Sequence, residues 1–269
     1  MKSFCDNLIK DTSIGAEILE ELIVIGSGTG IPSLRRGAPG LVVISGSTQL
    51  LIDSGSGMLG RMLEVGVTYR DPDLLLYTHI HPDHISDLVP IIFASKCEDQ
   101  PREKELMCIG GPGFKSYFEK LKSLYGSWVE PRSCSLTIKE ISQEAFIYRD
   151  LRILSSPTAH ISESVGYRIE FQDGKSIAIS GDTDYCQNII DLAFEVDLAV
   201  IECSFPDGKK VEGHLTPSLA GRIGLESRCK KLLLIHLYPV CDQFDILSQC
   251  RQVYPGPIIL GEDFMRIKI

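Results

Sequence analysis

The chain has no unbroken apolar run approaching the roughly 20 residues that a membrane-spanning helix needs. Its first stretch, MKSFCDNLIKDTSIG, lacks an apolar signal core. A cytoplasmic location without a membrane partner is therefore expected. Cys-x-x-Cys pairs are absent as well, although there are 9 cysteines. That odd count fits reduced thiols, most of them small core hydrophobes, better than a disulfide framework or a cysteine-based zinc site. There is no run of Lys or Arg, and the net charge is −9. Long nucleic acid is bound by basic side chains that neutralise phosphates, so such a partner is disfavoured. A small phosphorylated ligand drawn to a local metal charge is not. No linker, low-complexity tract or short repeat divides residues 1–269, which read as one domain.

What the chain does contain is an ordered succession of apolar segments. Strands are predicted at Glu21–Gly26, Leu41–Ser45, Gln49–Asp53, Leu74–Tyr77 and Leu106–Ile109. Further strands are predicted at Leu151–Leu154, Gly166–Phe171, Ser176–Ser180, Leu198–Ile201, Leu232–Ile235, Ile258–Gly261 and Phe264–Ile269. Asp173-Gly174 is a hairpin signal. Helices are expected over Met58–Val65, Ile85–Lys96 (bent or restarted at Pro90), Phe114–Leu124, Tyr185–Phe194 and residues 242–251. Another should start at Thr216-Pro217, with Thr as cap, and run to about Glu226. Residues 126–145 give no clear pattern. The order is strand-rich then helical, twice over. It predicts two similar halves whose sheets face each other with helices outside, an α/β four-layer αββα sandwich.

The 6 histidines are unusually placed. Three lie in His79-Ile-His81-Pro-Asp83-His84. One intervening residue in a segment leaving an apolar strand points His79 and His81 to one side. Asp83 and His84 return donors from the next turn. So many like side chains would repel if protonated and have no structural use. Neutral imidazoles with a carboxylate suit a divalent ion such as zinc, and manganese or iron are compatible. His160, Asp182 and His236 each lie just beyond the end of an apolar strand, where sites gather in layered α/β folds. Seven such donors suffice for two cations if Asp182 is shared.

The His79-x-His81-x-Asp83-His84 motif resembles the signature of the metallo-β-lactamase superfamily. His160, Asp182 and His236 match its later ligand motifs in order, and Asp53 in LLIDSG matches its first. The resemblance runs from residue 21 nearly to the end. It narrows at Gly28-Thr-Gly30-Ile-Pro32-Ser33-Leu-Arg35-Arg36, Ile201-Glu202-Cys-Ser-Phe205 and Gly213-His214-Leu-Thr216. These look like ribonuclease Z and its phosphodiesterase relatives. Bacterial ribonuclease Z carries a long arm that grips transfer RNA between the third and fourth motifs. Here only residues 161–181, 21 in number, separate His160 from Asp182.

The resemblance implies that His79, His81 and His160 hold one divalent cation and Asp83, His84 and His236 a second, with Asp182 bridging. Asp53 would orient the site without binding metal. Asp83 would also handle the water proton, His214 would assist the leaving group, and Glu202 would orient His214. The expected activity is hydrolysis of a small phosphodiester or nucleotide. Transfer-RNA 3′-end cleavage, or lactone or thioester hydrolysis, stands as the alternative. A homodimer is expected from the resemblance alone. Gly26-x-Gly28-x-Gly30 hints at a dinucleotide fingerprint, but Ile31 stands where that motif needs its third glycine, so a tight turn beside the metal site is expected.

Overall fold

The strand Glu20–Gly26 (β1) is apolar on both faces: Leu22 and Val24 face one way, Ile23 and Ile25 the other, and all four are buried. Such a strand needs cover on both sides, which a layered fold provides. In a computed structural model, which describes residues 20–269, the cover is a second sheet on one side and helices on the other. The N-terminal stretch and Cys5 lie outside the described residues.

The first sheet gathers β1, β2 (Gly40–Ser45), β3 (Thr48–Ile52), β4 (Leu74–Leu76), β5 (Leu106–Gly110) and β6 (Leu136–Glu140). The second gathers β7 (Ala145–Tyr148), β8 (Leu151–Pro157), β9 (Val165–Glu170), β10 (Ser176–Ile179), β11 (Leu198–Glu202), β12 (Leu232–Ile235) and β13 (Ile258–Leu260). The last strand, β14 (Arg266–Lys268), returns to pair with β1, so both sheets have 7 strands. In the order β14-β1-β2-β3-β4-β5-β6, antiparallel pairing changes to parallel at β3. In β7-β8-β9-β10-β11-β12-β13 it changes at β10. The halves therefore repeat one topology, and β14 fills in the first sheet the place β7 fills in the second.

Between the sheets lies one apolar layer that includes Leu22, Leu50, Leu76, Ile153, Ile169 and Val200. The other faces are covered by α1 (Met58–Arg61), α2 (Pro82–Ile85), α3 (Leu88–Ala94) and α4 (Phe114–Tyr125) on the first sheet. On the second they are covered by α5 (Gln187–Leu192), α6 (Pro217–Ser227) and α7 (Ile246–Arg251). The arrangement is the expected αββα sandwich.

Several helices differ from expectation for local reasons. The helix expected over Ile85–Lys96 is two, α2 and α3, broken at Ser86-Asp87. Pro90 sits in the first turn of α3, where its missing N–H leaves no bond unmade. Asp87 instead accepts from the N–H groups of Gly57 and Leu59, tying α3 to α1. Met58–Arg61 tightens to a 3-10 turn over Met62–Val65, which ends at Gly66 with φ 78°. α5 begins two residues late because Cys186 is extended and Asp184 accepts from Tyr185 N. Thr216 precedes α6 but its side chain makes no capping bond; the start rests on Pro217. Asp245 caps α7 through Ser248 N at 2.9 Å, so residues 239–243 form a separate 3-10 turn. The unassigned stretch 126–145 holds a 3-10 turn, β6 and the start of β7. Both strands are sheet edges with only partly buried side chains, so neither shows the apolar pattern of an inner strand.

Tyr167 of β9 links the two sheets. Its ring lies in the layer between them, and its hydroxyl donates to the carbonyl of Tyr77, just after β4, at 2.7 Å. Tyr167→Phe should cost about 1–3 kcal/mol by leaving that carbonyl unpaired. Urea unfolding with an unchanged midpoint would show that the bond contributes nothing.

Candidate metal centre

Strands β3, β4, β10, β11 and β12 end on one rim, and the residues following them turn inward. Asp53 follows β3, His79 and His81 follow β4, Asp182 follows β10, Glu202 closes β11 and His236 follows β12. His160 reaches the same rim after β8, where Ala159 bridges to Asp184. Three of these exits use left-handed backbone: Asp53 at φ 57°, His236 at φ 57° and Gly181 at φ 59°. For a non-glycine residue that conformation costs roughly 1–2 kcal/mol, a strain that marks a functional turn. Gly181 is required for a second reason. A Cβ there would lie 2.6 Å from Thr78 Cβ, so only glycine lets the end of β10 rest on the end of β4.

Hydrogen bonds dictate which nitrogen of each ring is free. His84 Nδ1 donates to Asp53 Oδ2 at 2.8 Å. His160 Nδ1 donates to the carbonyl of Gly213 at 3.0 Å. Thr78 Oγ1 gives its proton to Asp53 Oδ2 at 2.8 Å, so at 3.0 Å it accepts from His79 Nδ1. Ser204 Oγ donates to Glu202 Oε2 at 2.6 Å and accepts from His236 Nδ1 at 2.9 Å. Each of these four rings thus spends an N–H on a fixed acceptor and turns its Nε2 inward.

Ring nitrogens face one another across the cluster. His84 Nε2 lies 3.2 Å from His236 Nε2, and His160 Nε2 lies 3.1 Å from His81 Nδ1. At those distances each facing pair must share either a proton or a cation. Two nitrogens bound to one tetrahedral zinc at ~2.05 Å would be about 3.3 Å apart. Asp182 Oδ1 is 3.3 Å from both His84 Nε2 and His236 Nε2, while its Oδ2 is 3.8 Å from His79 Nε2 and 3.9 Å from His160 Nε2. Asp83 Oδ2 lies 3.6 Å from His236 Nε2. His79 Nε2 and Asp182 Oδ1 are buried with no hydrogen-bond partner. Orphaned buried acceptors of this kind are rare and call for an ion. The donors fall into three overlapping groups, His79, His81, His160 and Asp182 in one, Asp83, His84 and His236 in a second, and Asp182, His214 and His236 in a third, with ligand atoms of each within 4.8 Å of one another; in the third, His214 has its Nδ1 on Glu202. The donor set therefore fits divalent cations.

Electrostatics agree. Burial holds the imidazoles of His79 and His160 below their ordinary range. Burial also opposes a charge on His84, but Asp182 and Asp53 outweigh it and hold that ring well above its ordinary range. A proton on His84 then sits where a cation's charge would sit, and a cation would displace it. Burial opposes the charge of Asp182 too, yet His236 and His84 keep its carboxyl well below the usual range.

His214 stands at the edge of this cluster, its ring 4.9 Å from that of His160 and 5.8 Å from that of His236. Its Nδ1 is 3.0 Å from Glu202 Oε1. Burial lowers its proton affinity, but the bond to Glu202 more than reverses that. The glycine turn lies alongside: Gly30 N donates to Asp83 Oδ2 at 3.0 Å. All ten residues singled out in the sequence thus meet at one rim. Thr78 and Ser204 were not singled out. Each is a hydroxyl beside a marked acid or histidine, and nothing local distinguishes it from any buried Ser or Thr.

Residues 48–237 match the family model described as the beta-lactamase superfamily domain. The chain belongs to the metallo-β-lactamase superfamily. Within the superfamily it is 26% identical over 277 residues to the ribonuclease Z of Mycobacterium marinum, covering 93% of this chain and 98% of that one. Its fold is shared with the metallo-beta-lactamase fold protein YhfI from Bacillus subtilis, with a TM-score of 0.81, 24% identity and coverage of 93% and 100%. It is shared as well with a diphosphatase from the PhnP family, with a TM-score of 0.70, 18% identity and coverage of 93% and 98%.

If the imidazoles hold cations, binding stabilises the fold by linkage. Zinc at 100 times its Kd should add about 2.7 kcal/mol to chelator-treated protein, a rise in Tm of roughly 5–10 °C. Superimposable melting curves with and without zinc would mean that the cluster binds none.

Proposed function

We propose that the chain is a binuclear metal-dependent phosphodiesterase acting on a small phosphodiester or nucleotide in the cytoplasm. His79, His81 and His160 would hold one divalent cation, zinc in the first instance, and Asp83, His84 and His236 the other, with Asp182 shared. When bound, such cations provide a hydroxide nucleophile near neutral pH and offset the charge of the phosphoryl oxygens. Asp53 fixes His84 directly and His79 through Thr78. Asp83 acts as an orienting acceptor for the attacking water. Burial opposes its charge, but His236 and His84 keep its carboxyl far too acidic to hold a proton.

The observation that carries this reading is the Glu202–His214 pair. Neither of the first two donor groups needs His214 to reach three ligands. The ring is nonetheless held beside the cluster, with Nδ1 on Glu202 and its proton affinity raised. Its Nε2 is left to give a proton to a departing oxygen. An alkoxide, the leaving group of a phosphodiester, is strongly basic and needs that proton. A thiolate leaves far more readily, the parent thiol having a pKa of about 8.5. Thioester hydrolysis would therefore give His214 nothing to do.

Against a transfer-RNA substrate stands the segment between His160 and Asp182. A turn, β9, a second turn and β10 use all of it, and no arm projects. The net charge of −9, with no run of Lys or Arg, points the same way. A cavity of about 360 Å³, lined by Gly30, Ile31, Ser33, Arg36, Ser56, Asp83 and Ser86, adjoins the cluster through Asp83 and is of small-ligand size.

His214→Ala should keep its metal content and lose about 10²–10⁴ in turnover of bis-nitrophenyl phosphate; turnover equal to that of the parent would remove His214 from the reaction. On the unmodified chain, cyclic nucleotides and dinucleotides should be cleaved well ahead of precursor transfer RNA, a lactone or a glutathione thioester. Faster cleavage of the RNA precursor would favour the endoribonuclease alternative.

A further inference from the structure

Glu202 accepts from five groups. Thr183 N at 2.8 Å and His214 Nδ1 at 3.0 Å share Oε1, while Ser204 N at 3.2 Å, Ser204 Oγ at 2.6 Å and Leu215 N at 3.1 Å share Oε2. With three backbone N–H groups aimed at it, the carboxylate is an acceptor throughout, so the Ser204 hydroxyl must be the donor in their contact. That spends the one proton of the hydroxyl. Ser204 Oγ can then meet His236 Nδ1, at 2.9 Å, and His214 Nδ1, at 3.2 Å, only by accepting. Ser204 is fully buried and has no water alternative. Each ring is thereby fixed with its proton on Nδ1.

We propose that Ser204 is a positioning residue for the metal centre: by accepting the Nδ1 proton of His236 it makes His236 Nε2 a cation donor, and it ties that ring to the carboxylate that holds His214. The same device occurs across the site, where Asp53 holds His84 directly and His79 through the Thr78 hydroxyl. One acid with one hydroxyl orders two rings in each half. In the second half one of those rings is the proposed proton donor, so the strength of cation binding and the alignment of His214 share a single support. The inference rests on the metal-holding reading of the cluster, not on the choice of substrate.

The test is zinc binding by ring. Long-range proton–nitrogen spectra of the zinc-loaded chain should show Nδ1–H on both His236 and His214. Ser204→Ala should weaken zinc at the Asp83, His84 and His236 site about 10–100-fold, the usual size for losing a hydrogen-bond partner of a ligand. The His79, His81 and His160 site should keep its affinity. Nδ1 without a proton on His236 in the unsubstituted chain overturns the proposal, whether or not the variant folds. Equal weakening of both sites, or of neither, also overturns it while leaving the metal reading intact. An unsubstituted chain that takes up no zinc overturns both.

Discussion

Pairs of imidazole nitrogens pointed at each other across little more than 3 Å define this molecule. Without a cation, each such pair is held together by no more than one shared proton. The inward-facing atoms His79 Nε2 and Asp182 Oδ1 are buried without a partner, each worth about 1–3 kcal/mol of lost hydrogen bonding. The left-handed turns at Asp53 and His236 add strain. The fold offsets these costs with two wide sheets whose inner strands are apolar on both faces, at about 1.5–3 kcal/mol for each large side chain fully buried. Rigidity is part of the same design. Because the rings of His79, His84, His160 and His236 each have an Nδ1 bonded to a fixed acceptor, their Nε2 atoms cannot rotate away from the cluster, and a cation would find those donors already placed.

The repeated topology explains why the donors meet. In each sheet the pairing turns parallel after the third step, so the strands beyond that point all end on the same rim. One sheet brings Asp53 and the HIHPDH turn; the other brings Asp182, Glu202 and His236. Facing the sheets across a single apolar layer sets the two rims edge to edge. The last strand completes the first sheet and closes the repeat. Tyr167, reaching from β9 to the carbonyl of Tyr77, holds the two rims in register close to the site.

In the proposed reaction the asymmetry between the halves matters as much as their likeness. Both use an acid and a hydroxyl to order two rings. The first half would turn both rings toward cations, whereas the second ties one ring, His214, to Glu202, where it would be free to pass a proton. The short connection between His160 and Asp182 leaves this side of the cleft without a projecting arm, which fits a small substrate better than a long one.

The sequence alone determined the layered fold and most of the site's membership. Continuous apolar runs separated by helical patterns can be buried only in a sandwich, and three histidines crowded beside an aspartate have no structural use. His160, Asp182 and His236 were legible from their places after strand ends and from the family pattern. The edge strands β6 and β7 were not legible, because half-buried edges carry no apolar signature, and helix ends shifted wherever a side-chain cap such as Asp245 intervened. Only the tertiary structure decided which nitrogen of each ring is free, and that Thr78 and Ser204 make the choice. A hydrogen bond between residues far apart in the chain depends on distance and direction in space, and the spacing of letters along a sequence contains neither.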